Sequence, residues 1–193
     1  MSAYRDFITD FPDRCLDLLK SFEFEARMRD REVTLLLMTA ATAFVITLER
    51  LGVLGKKHST GDNEKFKEVA SRLKNMASVL LSKSIFAPEH PENWLYGKPD
   101  QFNGGPDSWN DFKSFADEDH CVSCILSTIR NALAHGNLYT EGNPIRSLVF
   151  WSERYEDELM VGYKFIKVPV EDFRSFLVSW VEFLRNNAKP IQI

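Results

Sequence analysis

Late in the chain the sequence runs Ile129-Arg130-Asn131-Ala132-Leu133-Ala134-His135-Gly136-Asn137. Histidine is the side chain that titrates near neutral pH, so it can give or take a proton under physiological conditions. Arginine is permanently charged, and its planar fork can grip two oxygens of a phosphate. Together they suit proton transfer at an anionic substrate with no metal ion. Arg130 and His135 are five residues apart, which on a helix is about 140° of rotation, so the two side chains diverge. Asn131 and His135, four apart, share a face, whereas Arg130 lines up with Leu126 and Ala134. Ala132 and Ala134 are small enough for a second helix to approach closely. The pattern therefore predicts a composite site, in which two copies of this helix meet across a two-fold axis and present two arginines and two histidines to one phosphate. The competing structural reading is a helix end, with the arginine pairing with an acidic side chain and the histidine serving as a C-terminal cap before glycine.

Positioning such a helix requires a bundle around it. A short first helix is expected over residues 4 to 22, with Phe7, Phe11, Leu18 and Leu19 as core candidates. A longer one follows from Phe24 or Arg29 to Leu51, ended by Gly52, Gly55 and the polar stretch GKKHSTGDN. A third starts at Asp62 or Asn63, and Phe66, Val69, Ala70, Leu73, Met76, Ala77 and Leu80 carry its helical period as far as Ile85 or Phe86. From residue 87 to 117, four prolines and three glycines break any helix, giving a long Pro/Gly/aromatic loop insertion. Its Trp94, Tyr96, Phe102, Trp109 and Phe112 favour packing over the bundle; a lid or specificity loop is the functional alternative. The fourth helix is expected from Asp117 to His135, with Asp117, Glu118 and Asp119 at its positive end and Gly136 as a left-handed cap. Residues 147–155 and 159–167 then change to strand formers around the turn Glu156-Asp157-Glu158, a β-hairpin in which Val161, Tyr163 and Phe165 share one face. A last helix begins near Pro169, with Phe173, Phe176, Leu177, Trp180, Val181 and Leu184 as its apolar stripe. The predicted fold is mainly α: a bundle of four to five helices with a β-hairpin before the last one, in one domain spanning 1–193.

Composition narrows the function classes. With 193 residues, 44% hydrophobic and 27% charged, the chain can bury a substantial core. A net charge of -4 and a pI of about 5.6 lack the broad basic footprint of a protein that holds nucleic acid constitutively. Nucleic-acid chemistry here must use a local cluster of cations and transient contact. Cys15, Cys121 and Cys124 form no disulfide framework and read as reduced thiols, and the start MSAYRDFITDFPDR carries no signal-peptide pattern, so a cytoplasmic protein is expected. The apolar run Val33–Leu48 contains four threonines and reads as a buried bundle helix, with no membrane partner expected.

The string IRNALAHGN resembles the signature of the HEPN superfamily: an arginine, four to six residues, then a histidine, with a polar residue after the arginine. Its place at the end of a late helix, and the hairpin before a final helix, resemble a plasmid- and phage-associated branch. The resemblance covers the whole chain. It implies a homodimer acting as a metal-independent endoribonuclease, without a cofactor, often in toxin–antitoxin or antiphage defence. It also implies that Arg130, Asn131 and His135 are catalytic. In that reaction the RNA 2′-hydroxyl attacks the adjacent phosphate, leaving a cyclic phosphate and a 5′-hydroxyl. His135 would serve as acid or base, Arg130 would hold the phosphate, and Asn131 would orient the imidazole or the phosphate. An antitoxin or a nucleotidyltransferase is a further implied partner. In HEPN toxins silenced by such a transferase, the modified tyrosine stands two residues after the histidine; here that position is Asn137, and the nearest tyrosine is Tyr139. The alternatives are a non-catalytic HEPN-like module that binds a nucleotide or a protein partner, and a plain structural bundle.

Other constellations are weaker. Cys121 and Cys124 could face one metal, but a second ligand pair is missing, and buried thiols are commoner. Lys56, Lys57, His58, Lys65 and Lys67, interspersed with acidic residues, read as solvated surface.

Overall fold

The computed structural model describes residues 7–53, 64–101 and 112–187. The chain divides into two compact units, one formed by 1–78 with 174–193 and the other by 79–173.

The first unit is helical. In α1 (Phe7–Arg27), Ile8, Pro12, Leu16 and Leu19 recur at helical spacing and are buried. The helix outruns its expected end at residue 22 because Glu23, Glu25 and Ala26 are good helix formers, and Glu23 also pairs with Arg27. It stops at Asp30, which takes a left-handed φ of 54°, while the Arg31 amide bonds back to the Ala26 carbonyl at 2.8 Å. This is a glycine-type C-terminal cap built on aspartate, which tolerates that conformation better than most residues.

The next helix therefore starts at Glu32. It comprises α2 (Glu32–Ala41), a π-helical segment (Thr42–Ile46) and α3 (Thr47–Leu51), ending at Gly52 with φ 62°. This continuous rod, Glu32–Leu51, has a mean hydropathy of 1.6 and is long and apolar enough to cross a membrane. Here Leu36, Ala40, Ala43, Phe44 and Leu48 are buried. The π-segment has a local cause. The Ala43 carbonyl accepts the Trp180 indole N–H at 3.0 Å and the Thr47 hydroxyl, so it is satisfied outside the regular helical ladder. Phe44 stacks on Trp180 and Phe176, with centroids 5.2 and 5.6 Å away.

Helix α4 (Glu64–Met76) buries Phe66, Val69 and Leu73; its expected caps, Asp62 and Asn63, lie outside the described residues. The apolar period continues to Leu80, but the helix does not. Leu80 forms a β-bridge with Cys121, fixed by Leu81 N–H to His120 O (2.8 Å) and Val122 N–H to Val79 O (2.9 Å). The same bridge delays the next helix, α5 (Val122–His135), leaving Asp117–Asp119 outside it. Asp119 instead holds the Ser82 hydroxyl and the His120 amide.

The second unit overturns the expectation of a mainly α bundle with one hairpin: the fold is α+β. Among the described residues, five antiparallel strands form one sheet in the order β2-β1-β5-β4-β3. They are β1 (Leu95–Gly97), β2 (Lys113–Ser114), β3 (Leu138–Glu141), β4 (Ser147–Glu156) and β5 (Leu159–Pro169). The predicted hairpin is β4–β5, and its two open edges needed partners. On one side Leu138–Glu141 pairs with Ser147–Phe150; on the other Leu95–Gly97 pairs with Phe165–Lys167 and itself takes on Lys113–Ser114. Strands β1 and β2 come from inside the segment read as a loop insertion. Strands of two to four residues, as β1, β2 and β3 are, are too short to show an alternating pattern.

One sheet face carries Leu148, Phe150, Ile166 and Val168, all 0% exposed, and Phe150 meets Phe173 at 4.7 Å. The other carries Val149 and Phe165, with Phe112, Tyr139, Trp151 and Tyr163 packed against them. Helix α5 lies against β4 and β5. Helix α6 (Val170–Asn187) follows directly, and the predicted stripe from Phe173 to Leu184 is buried.

The two-residue turn between β4 and β5 has φ 49° at Asp157 and 67° at Glu158. A turn with both central residues in that region favours Asn-Gly or Asp-Gly, so Glu158 is the misfit. Glu158→Gly is expected to stabilise the protein by about 0.5–1 kcal/mol in denaturant titration, since glycine enters this region freely. An unchanged or lower midpoint would contradict a left-handed conformation at this site.

Candidate functional site

Helix α5 ends where its sequence says it should. Gly136 takes φ 71°, its amide bonds to the Ala132 carbonyl, and the Asn137 amide reaches the same oxygen at 2.9 Å. The chain then turns straight into β3, and the Trp151 amide bonds to the Asn137 carbonyl at 3.1 Å. A helix end, a tight turn and the middle of β4 are thereby tied together by backbone bonds. Between them lies a cleft of about 520 Å³, within the roughly 300–1,000 Å³ of small-ligand sites.

Asn131 and His135 both line this cleft, as the four-residue spacing requires. His135 is exposed and Asn131 half-buried. Arg130 is not among the lining residues. Its Nη1 donates to the Asn131 Oδ1 at 2.6 Å, so the guanidinium connects with the cleft through that amide. With Oδ1 engaged, Asn131 has its NH2 left to offer, a donor suited to a phosphate oxygen. The three residues singled out in the sequence are thus assembled as a chain, Arg130 to Asn131 and Asn131 beside His135.

The opposite wall was not foreseen. It consists of Trp151, Ser152, Glu153 and Tyr155 from β4, with Asn137 at the turn. Tyr155, 57% exposed, donates its hydroxyl to Glu153 Oε2, and accepting that proton the carboxylate pushes the phenol above its ordinary pKa. The only available signal was the hairpin's alternation, which puts 151, 153 and 155 on the same side of a strand but does not say that α5 ends beside them. Tyr139, the tyrosine nearest the motif, is half-buried and packs against the Val149–Phe165 cluster.

The Cys–His stretch lies at the start of α5. Cys121 is the helix N-cap, and the Cys124 Sγ lies 3.1 Å from the Tyr96 hydroxyl. Burial, followed by the nearby Cys124 thiol, pushes that phenol well above its ordinary range. Tyr96 also packs against His120 in a tilted contact, 3.9 Å between centroids, and the His120 Nε2 makes no hydrogen bond among the described residues. Of the basic cluster, Lys56, Lys57 and His58 lie outside the described residues.

Burial depresses the His120 pKa from its ordinary 6.5, against the opposing pull of Glu118 and Asp119. The unfolded chain therefore binds this proton at a higher pH than the folded one, and stability is lost as pH falls below about 6.5. His120→Phe should flatten this acid limb, measured as the difference between denaturation midpoints at pH 7 and pH 5. An equal drop in both proteins would show that His120 does not drive it.

No curated protein sequence and no solved structure matches the chain. A family model described as HEPN pEK499 p136 matches residues 1–191. With the motif at the end of α5 and the match running almost end to end, the chain belongs to the HEPN pEK499 p136 family.

Proposed function

We propose that the protein is a metal-independent endoribonuclease of HEPN type, working at a composite site formed by a homodimer. The observation that carries this reading is the junction of α5 and β3, where His135 and Asn131 open on one cleft and Arg130 is held by Asn131. In the proposed reaction the 2′-hydroxyl of RNA attacks the neighbouring phosphate and the 5′-oxygen leaves with a proton. His135 supplies that proton, or removes the one from the 2′-hydroxyl. Arg130 offsets the charge gathering on the phosphoryl oxygens, and the Asn131 amide positions them. One subunit offers one cation of this kind, and a two-fold partner doubles the set at the same phosphate. Contact with RNA would be transient, given the acidic net charge. The cellular setting that goes with this reading is the cytoplasm, in toxin–antitoxin or antiphage defence, opposed by an antitoxin.

The test is cleavage of single-stranded RNA by purified protein in excess EDTA, with oligomeric state followed by light scattering. Products ending in a cyclic phosphate and a 5′-hydroxyl, from a dimer whose activity falls on dilution, support the proposal. A strict monomer that degrades RNA equally well rules out the composite site.

The aromatic and carboxylate lining of the cleft favours one second reading, a non-catalytic module that binds a nucleotide. It requires nucleotide-induced thermal stabilisation with no cleavage of any RNA.

A further inference from the structure

The cleft has two chemically opposite ends. At the α5 end stand the His135 imidazole and the Asn131 amide, backed by the Arg130 guanidinium, a set suited to a phosphate. At the β4 end stands the Glu153 carboxylate, which repels a phosphate and can only accept hydrogen bonds when ionised. One of its oxygens is already oriented by the Tyr155 hydroxyl. Beside it are two aromatic side chains, the half-buried Trp151 and the largely exposed Tyr155. A ligand matching this lining carries an anionic group at one end and, at the other, a flat ring with hydrogen-bond donors on its edge. A nucleotide has that shape. Proteins read unpaired RNA bases in this way, stacking the base on an aromatic ring and bonding its Watson–Crick edge.

We propose that the β4 wall is a base-selection subsite that takes an unpaired guanine adjacent to the scissile phosphate, with Glu153 as its specificity-determining residue. Guanine presents two adjacent donors, N1–H and the N2 amine, which a carboxylate accepts in parallel, as it does the arginine fork. Uracil offers a single N3–H between two carbonyl oxygens that a carboxylate repels. Adenine and cytosine each offer an amine beside an unprotonated ring nitrogen. Guanine alone pairs both carboxylate oxygens with donors. Tyr155 keeps Glu153 in place, so less ordering is needed when the base arrives. This inference rests on the ribonuclease reading for the position of the phosphate, but its binding arm does not require cleavage.

The experiment uses the full chain with 3′-GMP, 3′-AMP, 3′-UMP and 3′-CMP as probes in calorimetric titrations, alongside cleavage-site mapping on a mixed-sequence RNA. The expected result is a Kd for 3′-GMP about tenfold or more below the others. In Glu153→Gln that advantage disappears, because the amide turns one acceptor into a donor, and the preference for cutting next to guanine is lost with it. Tyr155→Phe, which leaves the carboxylate but removes its anchor, gives a partial loss of about threefold. Equal binding of the four nucleotides, unchanged selectivity in Glu153→Gln, or a uniform fall in cleavage at every site would overturn the proposal. Guanine-selective binding with no cleavage of any RNA would sink the ribonuclease reading alone, and cleavage without base preference would sink this inference alone.

Discussion

Alanine at position 135 is expected to lower RNA cleavage by about 10²–10⁴-fold, the usual contribution of a positioned proton donor or acceptor. The side chain is exposed on the last residue of α5, and alanine is a better helix former than histidine, so the fold should tolerate the change. The loss must therefore appear in the rate, with the melting temperature unchanged and the proposed dimer, if light scattering finds it in the parent, found equally in the variant. Full activity in His135→Ala would refute the proposed mechanism outright. Arg130→Ala belongs to the same result, with an expected loss of about 10²–10³-fold. Lysine there should restore little, since a point charge cannot form a fork to the phosphate and cannot hold Asn131 in the same way. Asn131 separates the two effects. In Asn131→Asp the pairing with Arg130 survives and strengthens, but a negative charge enters the phosphate end of the cleft. Activity should then fall although Arg130 stays in place, and a variant as active as the parent would mean that no phosphate binds there.

The α5 terminus was legible because each of its signals is local. The four-residue spacing of Asn131 and His135 and the glycine after His135 were enough to place two side chains on one face and to end the helix with a left-handed residue. The stripe of α6 was legible for the same reason. The sheet was not, because β1, β2 and β3 exist through pairing with the hairpin rather than through any period of their own. Likewise the pattern over Met76–Leu80 promised more helix, but a bridge between Leu80 and Cys121 outweighed it. The same limit hid half the candidate site. Glu153 and Tyr155 become its second wall only because Asn137 accepts the Trp151 amide and ties β4 to the end of α5. Sequence therefore revealed the wall built on one helix and concealed the wall that depends on a long-range contact.

Trp180→Ala is expected to be the most destabilising single change in the helical unit. Trp180 is 0% exposed, stacked on Phe44 at 5.2 Å and on Phe183 at 5.9 Å. Truncating a buried tryptophan costs about 3–5 kcal/mol, through lost burial and the cavity left behind. The substitution also takes a donor from the Ala43 carbonyl in the π-segment, leaving the Thr47 hydroxyl as the other donor to that oxygen. Against a typical total of about 5–15 kcal/mol this is a large fraction. At about 2–4 °C per kcal/mol for a chain of this size, the melting temperature should fall by about 6–20 °C. Trp180→Phe divides the effect: it keeps an aromatic ring against Phe44 and loses the N–H, so about 1–2 kcal/mol should go with that hydrogen bond and the smaller ring. If alanine and phenylalanine cost the same, the hydrogen bond to Ala43 dominates and the stacking on Phe44 contributes little. If alanine costs under 1 kcal/mol, Trp180 is not the buried centre of this helix pair. Thr47→Val supplies the complementary measurement, because it removes the other donor to Ala43 without opening a cavity. A cost for the double variant Trp180→Phe/Thr47→Val above the sum of the singles would show that the two donors support the Ala43 carbonyl together.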